Sequence, residues 1–214
     1  MPNEAPTTDT LLALAAAGDG AAWGALLTDH QERLLRMIAF RMDPRLRGRI
    51  DALDVLQDAF VEASAHRETY FRAPTVPLFL WLRGVVSNKL LALHRHHLGT
   101  GMRDAKRELP LEGPQKWDDT TSALCAHLAG HLTSPSAAAV RDEIKTRLAE
   151  ALDKMDPTDR EVLTLRHFEQ LTNAEAAQVV GIQERAAAKR YLRALARLKD
   201  ILSALPGGLS ELRP

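Results

Sequence analysis

Residues Met155–Ile201 read MDPTDREVLTLRHFEQLTNAEAAQVVGIQERAAAKRYLRALARLKDI, and this stretch decides how the C-terminal part of the chain folds. Thr172 and Glu175 have the spacing of a capping box, in which each side chain accepts a hydrogen bond from the other residue's backbone amide. Gly181 is placed to end that short helix, because glycine adopts a left-handed cap at little cost. A second helix is predicted from about Gln183 to Ile201. Two helices joined by so short a turn form a helix-turn-helix, whose second helix can enter the DNA major groove.

The second predicted helix carries an apolar face and a basic face. Its apolar residues recur every three or four positions, as a core-facing stripe requires; they are Ala187, Tyr191, Ala194, Leu195, Leu198 and Ile201. Its basic residues are Arg185, Lys189, Arg190, Arg193, Arg197 and Lys199. Like charges at this spacing repel by roughly 0.2–0.5 kcal/mol per pair, so the helix predicts an anionic partner. A solvated basic face is the alternative, but the capped helix and glycine turn before it favour duplex DNA.

The chain as a whole carries no net charge, because its 214 residues include 28 basic and 28 acidic ones. The basic residues are instead grouped locally, which indicates a protein that touches DNA in places and other surfaces elsewhere. The length suits one large domain or two small ones. Alanine and leucine at helical spacing dominate and strand signals are weak, so we expect an all-α fold.

The N-terminus and the cysteine content bear on where the protein works. The first ten residues, MPNEAPTTDT, lack the pattern of a signal peptide, and no apolar run reaches the length of a membrane span. The single cysteine, Cys125, excludes an internal disulfide and a CxxC metal site and suits a reducing compartment. We therefore expect a cytoplasmic protein without a membrane partner. Cys125, close to His127, is interpreted as a small buried side chain rather than a nucleophile.

Three helices are predicted in the N-terminal part, over residues 21–41, over about 52–67 and over about 76–97. The first has an apolar stripe of Trp23, Leu26, Leu27, Leu34 and Ile38. In the second, which Asp51 caps, the residues predicted to face inward are Leu53, Leu56, Ala59, Phe60 and Ala63. In the third, the predicted inner face is Leu78, Trp81, Leu82, Val85, Leu90 and Leu93. Residues predicted to lie away from that inner face are Arg83, Ser87, Asn88, Leu91, His94 and Arg95.

Two groups in this part could bind a partner, although spacing alone does not make either a site. Asp54, Gln57 and Asp58 share the face opposite the apolar stripe, where acidic groups in an early turn also favour the helix dipole. A loop after this helix is predicted to carry Tyr70 and Phe71. Their rings could stack on an unpaired base, because every base offers a π face. Alternatively they anchor the loop in the core, which periodicity alone favours.

Four segments resemble, in order, the motifs of bacterial sigma factors. Residues 54–60, DVLQDAF, look like the D-[LV]-V-Q-E-x-F signature, and residues 79–88, FLWLRGVVSN, are similar to the F-x-x-W-L-x-x-I-A-x-N helix. Asp159–Leu163 and Gly181-Ile182 are similar to the family's second domain. By order and spacing the chain resembles the extracytoplasmic-function (ECF) group of the sigma-70 family. Phrases such as RMDPRLRGRID and LTSPS resemble its planctomycete-type members.

The resemblance implies two small helical domains joined by a linker. Sigma region 2 would occupy residues 8–98 and bind core polymerase and the −10 element. Sigma region 4 would occupy residues 140–204 and read the −35 element. Residues 99–139 mix glycine, proline and charges without an apolar period, so we expect an irregular connection. The implied function is to bind core RNA polymerase, through its β′ and β subunits, and to direct it to promoter DNA. No catalytic residue, cofactor or metal is expected, and any anti-sigma factor would be a separate protein.

The resemblance and the charge pattern together assign roles to individual residues. Those expected to dock on the polymerase β′ coiled coil are Asp54, Gln57 and Asp58. Those expected at the melted −10 element, where a flipped base would be held, are Tyr70, Phe71, Arg72, Asn88 and Arg95. Those expected at the −35 element are Arg185, Lys189, Arg190, Arg193 and Arg197. Ala188 stands where many members of the family have Lys or Arg, which leaves the promoter sequence open.

Two other functions are compatible with parts of the sequence. A stand-alone helix-turn-helix regulator would bind a palindromic duplex site as a dimer, and it would leave the acidic group at 54–58 without a role. A metal-dependent enzyme could use His94, His96 and His97. That second function is disfavoured because these residues point to different sides of a helix and no cysteine or carboxylate cluster joins them. A basic helix end near DNA is the simpler interpretation.

Overall fold

The computed structural model describes residues 6–98, 120, 123–125, 127–128 and 138–204. Within these ranges the chain forms helices and no strand, which confirms the all-α prediction. The chain divides into two compact units. The first comprises the described residues of Met1–Ala39 and Ile50–Glu112, and the second those of Phe40–Arg49 and Gly113–Pro214. Most of the linker predicted at 99–139, including Trp117, lies outside the described residues.

Four helices lie within residues 6–98. They are α1 (Thr8–Ala16), α2 (Gly20–Arg41), α3 (Ala52–Arg72) and α4 (Leu78–Leu98). The last three lie where the sequence predicts helices, whereas α1 was not predicted. The hydroxyl of Thr7 caps α1 by accepting a hydrogen bond from the amide of Thr10 at 3.3 Å. Only Ala15 of α1 is buried, so this helix has too little apolar periodicity to be recognised from sequence.

The helix α3 begins at the predicted cap, where the Asp51 carboxylate accepts a hydrogen bond from the amide of Leu53 at 2.9 Å. Its buried residues are Val55, Leu56, Ala59, Ala63 and Tyr70. Leu53 is exposed, so the prediction that it faces inward was wrong. The physical reason is that the buried side of α3, which includes Leu56 and Ala59, is centred about 100° of rotation away from Leu53.

The helix α4 is buried over most of its circumference, and each residue from Leu78 to Ser87 is buried. Arg83, Ser87 and His94 are therefore in the interior, which corrects the prediction that they lie away from the core. A one-sided stripe does not describe a helix that packs against neighbours on more than one side. The Ser87 hydroxyl is satisfied within the helix, since it donates to the carbonyl of Arg83 at 2.8 Å.

Within residues 138–204, the second unit contains four helices and a wider helical turn. They are α5 (Ala138–Asp153), α6 (Pro157–Leu163), the π-helical turn (Thr164–Phe168), α7 (Asn173–Val180) and α8 (Glu184–Ser203). The core cluster comprises Phe40, Leu124, Cys125, Leu148, Leu152, Met155, Leu163, Ala194, Leu198, Ile201 and Leu202. Burial, with the negative charge of Asp153, raises the pKa of the Cys125 thiol to about 11, as expected for an inert buried cysteine.

A buried arginine anchors residues 40–49 within the second unit. Nε of Arg41 donates to Oε1 of Glu169 at 2.6 Å, and Nη2 donates to Oε1 of Glu161 at 2.6 Å. The hydroxyl of Thr120 donates to the other oxygen of Glu161 at 2.7 Å. The π-helical turn directly precedes Glu169, whose amide donates to the carbonyl of Thr164 at 3.0 Å. Burial alone would lower the pKa of Arg41, but the two carboxylates outweigh it and hold that pKa above its ordinary value.

Replacing Arg41 with methionine should destabilise the second unit strongly. The variant Arg41→Met keeps the apolar stem of the side chain but leaves the carboxylates of Glu161 and Glu169 buried without their cation. We expect its free energy of unfolding to fall by about 3–5 kcal/mol. Urea unfolding followed by circular dichroism, with the transitions of the two units fitted separately, measures the loss.

Two comparison variants test whether the loss of stability comes from the buried pairing of Arg41. Arg45→Ala removes an ion pair to Asp43 in which the arginine side chain is 68% exposed, and it should change stability by about 0–1 kcal/mol. Adding Glu161→Gln and Glu169→Gln to Arg41→Met removes the uncompensated charges and should restore part of the lost stability. Equal losses for Arg41→Met and Arg45→Ala would contradict the anchoring role of Arg41.

Candidate nucleic-acid and polymerase interfaces

The predicted helix-turn-helix is present at α7 and α8. The amide of Glu175 donates to the Thr172 hydroxyl at 3.1 Å, and the amide of Thr172 donates to the Glu175 carboxylate at 2.8 Å, so the capping box is confirmed. Gly181 ends α7 in the left-handed region at φ 75°, as predicted. A side chain at this backbone angle would be strained, which explains why glycine stands there. Gln183 then precedes the first residue of α8.

The exposed face of α8 is mostly basic and includes one large apolar residue. Its buried residues are Ala187, Ala194, Leu198, Ile201 and Leu202. Arg185, Lys189 and Leu192 lie on the opposite side, within about 60° of one another at 100° per residue. Leu192 is 67% exposed, a property that the sequence pattern did not reveal. A cationic helix face that includes an exposed apolar side chain can contact phosphates, base edges and thymine methyl groups.

Two of the arginines expected at the −35 element are paired with acidic residues of α6. Nε and Nη2 of Arg193 donate to the two carboxylate oxygens of Asp159 at 2.7 and 2.9 Å. Nη1 of Arg190 donates to Oδ1 of Asp159 at 2.6 Å and to Oδ1 of Asp156 at 3.2 Å. Sequence reasoning used Asp159 only as part of a motif. Two acids at the start of α6, beside a helix with an excess of cations, were the available signal.

The Asp159 carboxylate is held in its charged form by these arginines. Its side chain is only 7% exposed, and that burial by itself raises the pKa. Hydrogen bonds from Arg193 and Arg190 and their positive charges more than offset the burial, so the pKa of Asp159 lies below its ordinary value. The same bond raises the pKa of Arg193. Arg185, Lys189 and Arg197, the other residues expected at the −35 element, are exposed on α8.

The residues expected to bind polymerase form one exposed patch of α3. Asp54, Gln57 and Asp58 are all exposed, as their spacing opposite the core stripe predicts. Oδ2 of Asp58 lies 3.3 Å from Nζ of Lys89, which makes it part of a surface ion pair. Val61 continues the same face one turn later and is 72% exposed. Sequence analysis missed Val61, although its position seven residues after Asp54 was a usable signal.

The aromatic residues expected at the −10 element lie on α3 rather than in a loop. Tyr70, Phe71 and Arg72 form the last turn of this helix, because the helix continues five residues beyond its predicted end. Tyr70 is buried, its ring centroid lies 4.9 Å from that of Trp81, and its hydroxyl donates to the carbonyl of Val76 at 3.2 Å. Burial also raises its pKa. Phe71 is half-buried, whereas Arg72 is exposed.

The remaining residues expected at the −10 element lie on α4. Asn88 is half-buried and Arg95 is exposed. They are seven residues apart and so share a helix face, separated by about 10 Å along the axis. Trp81 lies seven residues before Asn88 on nearly the same side. Trp81, which contacts Tyr70, therefore lies on a common strip of α4 with Asn88 and Arg95.

The histidines near the end of α4 do not act as a group. His94 is buried, whereas His96 and His97 are exposed with ring centroids 4.7 Å apart. Within the described ranges, no three His, Cys, Asp or Glu side chains are grouped so as to hold a metal ion. In that same part of the chain, no helix has both the length and the apolar character needed to cross a bilayer.

Comparison with known proteins identifies the family. Residues 145–198 match the family described as "Sigma-70, region 4". The chain is 30% identical over 195 residues to RNA polymerase sigma factor CnrH of Cupriavidus metallidurans, covering 91% of this chain and 93% of that protein. It is 28% identical to ECF RNA polymerase sigma factor SigD of Mycobacterium tuberculosis, covering 92% of this chain and 84% of SigD. This chain belongs to the ECF group of the sigma-70 family.

A solved structure of CnrH in complex with the cytosolic domain of CnrY has the same fold. Its TM-score is 0.52 with 27% sequence identity, and the match covers 91% of this chain and 96% of that one. The protein is therefore an RNA polymerase sigma factor, which confirms the function that the sequence motifs predict. The comparisons do not favour the alternative of a dimeric stand-alone regulator.

The Asp159 pair should make the stability of this sigma factor sensitive to acid. Because the pKa of Asp159 is lowered on folding, its contribution is complete above the ordinary value of 3.8 and is lost as the pH falls through the lower folded pKa. We expect wild type and Asp159→Asn to differ in free energy of unfolding by a constant amount from about pH 7 to pH 5. The difference should shrink below pH 3.8. Urea unfolding at pH 7, 5 and 3.5 measures it. Asp200→Asn, which removes an exposed acid from α8, is the matched control variant.

Proposed function

We propose that this sigma factor contacts its polymerase and its promoter through three surfaces on the two units. Residues 8–98 act as sigma region 2, residues 140–204 act as sigma region 4, and residues 99–139 link them. The observation that carries this proposal is the helix-turn-helix of α7 and α8, with its capping box, its left-handed Gly181 and its exposed basic face. We also propose the planctomycete-type subgroup, on the phrases RMDPRLRGRID and LTSPS.

The α8 surface binds the −35 element in the major groove. Arg185, Lys189 and Leu192 lie opposite the buried stripe, where they are free to meet DNA without loss of core packing. Arg190, Arg193 and Arg197 follow along one edge of that surface. An α-helix fits the width of the major groove, and the first half of a recognition helix reaches base edges; Arg185, Lys189 and Arg193 lie within the first ten residues of α8. The proposed surface is therefore placed at the correct end of the helix.

The α3 patch binds the β′ subunit of core polymerase. Its acidic and amide groups, Asp54, Gln57 and Asp58, supply charge and hydrogen bonding, while Leu53 and Val61 add exposed apolar area at its edges. Interfaces derive most of their energy from a few desolvated groups surrounded by polar contacts.

The strip along α4 binds the melted −10 element. Arg72 and Arg95 are exposed and carry the charge needed for the DNA backbone, and Asn88 offers an amide that can pair with a base edge. Phe71 is half-buried and provides the stacking face for an unpaired base. Tyr70 supports Phe71 from within the core, since their ring centroids lie 5.2 Å apart. Its role in this proposal is structural support for the segment.

We further propose that a separate anti-sigma factor regulates this protein. The solved relative CnrH was captured with the cytosolic domain of another protein, CnrY, which supports a protein regulator for this fold. Core polymerase and an anti-sigma factor would compete if both used the α3 patch, because one surface cannot bind two proteins at once.

Substitution of the α3 patch should weaken polymerase binding without affecting the fold. We expect Asp54→Ala combined with Gln57→Ala to raise the Kd for core RNA polymerase about tenfold, equivalent to about 1.4 kcal/mol. Glu68→Ala, an exposed acid ten residues after Asp58 on the same helix, should leave the Kd unchanged. Titration of labelled protein with core polymerase measures both, and an unchanged melting temperature shows that the fold is intact. Unchanged binding by the double variant would exclude the patch.

Substitution of the basic face of α8 should weaken promoter binding while polymerase binding is retained. We expect Lys189→Ala to reduce holoenzyme affinity for selected promoter duplexes by about 1–3 kcal/mol if it contacts a base, or to lower the salt slope by about one if it contacts a phosphate. Lys199→Ala is the matched control, because it removes the same charge from the same helix about 15 Å further along. Equal effects of the two substitutions would indicate general attraction to DNA and contradict a −35 interface at the start of α8.

A further inference from the structure

The carboxylate of Asp159 holds the guanidinium group of Arg193 side-on. The two bonds run from Nε to Oδ2 at 2.7 Å and from Nη2 to Oδ1 at 2.9 Å. The carboxylate is 7% exposed, while the Arg193 side chain is 62% exposed. The Nε edge of the Arg193 guanidinium group is thus fixed by a buried carboxylate, and the end of the group remains accessible to solvent.

The geometry of a guanidinium group determines which donors remain. Arginine has five N–H donors in a rigid plane. The side-on pair uses the N–H of Nε and one N–H of Nη2, so three N–H donors remain. Two of these, one on Nη1 and one on Nη2, are parallel to each other at the end of the group. That end-on pair matches the O6 and N7 acceptors of guanine in the major groove, or two phosphate oxygens.

Arg190 occupies the other side of the same carboxylate. Its Nη1 is shared between Oδ1 of Asp159 at 2.6 Å and Oδ1 of Asp156 at 3.2 Å, and its side chain is largely covered. Asp156 is itself fixed as the cap of α6, because Oδ1 accepts hydrogen bonds from the amides of Thr158 and Asp159. Asp159 is therefore held by its own helix and by Arg190, which makes it a rigid support for Arg193.

We infer that Asp159 is a positioning residue for promoter recognition, which orients Arg193 so that its end-on donors read a guanine in the −35 element. This inference rests on the proposed binding of α8 in the major groove. A long flexible arginine can meet many phosphates, whereas one locked in a single orientation discriminates among base edges. The negative charge of Asp159 also reduces attraction to DNA in general. The pair therefore lowers non-specific affinity and raises specificity.

The test compares sequence preference rather than affinity alone. Full-length protein with core RNA polymerase selects from duplex DNA that is randomised across the −35 region, and the bound molecules are sequenced. The base pair read by Arg193 is the position at which Arg193→Ala loses its preference for guanine. We expect Asp159→Asn to reduce the preference at that position by about tenfold, with the preferences at other positions kept. Affinity for an unrelated duplex should stay the same or rise.

Matched variants separate positioning from charge and from folding. Asp200→Asn removes one exposed negative charge from α8 and should leave the preference intact. Arg193→Lys keeps the positive charge but lacks the planar fork, so it should lose the same guanine preference while Asp159 is present. This variant tests the geometry even if Asp159→Asn folds poorly. In the Arg193→Ala background, Asp159→Asn should have no further effect on that position.

Three results would overturn the inference. An Asp159→Asn protein that keeps its full preference at every position would show that Arg193 needs no support. An Arg193→Lys protein with unchanged preference would show that the fork is not used. If the wild type selects no sequence across the region, the proposed −35 function fails first and the inference falls with it. If the wild type selects a sequence and the Asp159→Asn variant selects the same one, only the role of Asp159 is refuted.

Discussion

The carboxylate of Asp159 on α6 accepts three hydrogen bonds from two arginines of α8. This contact ties the start of one helix to the middle of the other, so it constrains both the angle of α8 and the direction of its basic side chains. Apolar packing along Ala187, Ala194 and Leu198 holds α8 in place but does not by itself orient a long arginine. The ion pair adds that orientation, because bidentate pairing is directional and hydrophobic contact is not.

Pairing of a buried charge also constrains the structure around Arg41. A buried guanidinium group is tolerated only when it is paired and hydrogen-bonded, and Glu161, Glu169 and Thr120 provide both. Glu161 lies two residues after Asp159 on α6, so neighbouring positions of one short helix supply the acid for each cluster. The π-helical turn that follows α6 leads directly into Glu169. The second unit therefore depends on α6 and the turn after it for charge pairing on two sides.

In the first unit, the residues that pack the core and the residues proposed to bind partners occupy different places. Its interior is organised by α4, which is enclosed by its neighbours and carries Trp81 against Trp23 and Tyr70. The proposed binding groups lie where this interior reaches the surface, at the end of α3 and toward the end of α4. The acidic patch of α3 is exposed, with Asp58 paired at the surface to Lys89 of α4, so its members can be changed without disturbing the core. Substitutions in the first unit can consequently change polymerase affinity without changing the free energy of unfolding, and the reverse.

Local features of this protein followed from the sequence. The capping box at Thr172 and Glu175, the left-handed Gly181 and the cap at Asp51 depend on residues within a few positions of each other, so spacing was enough to predict them. The order of the motifs also predicted the family, which the comparison with CnrH established. Which residues of the three surfaces contact polymerase and DNA remains a prediction.

Long-range pairing was decided only by the tertiary structure. Asp159 meets Arg190 and Arg193 across 31 and 34 residues, and Arg41 meets Glu161 across 120. Helical periodicity assigns a residue to a face of its own helix, but it does not say which residue of another helix lies opposite. The burial of Arg83 and the exposure of Leu53 were mispredicted for the same reason. The sequence alone thus determined the helix caps and the positions of most helices, but it missed α1 and the last turn of α3. Packing determined which charges are joined, because that depends on how the helices are arranged in space.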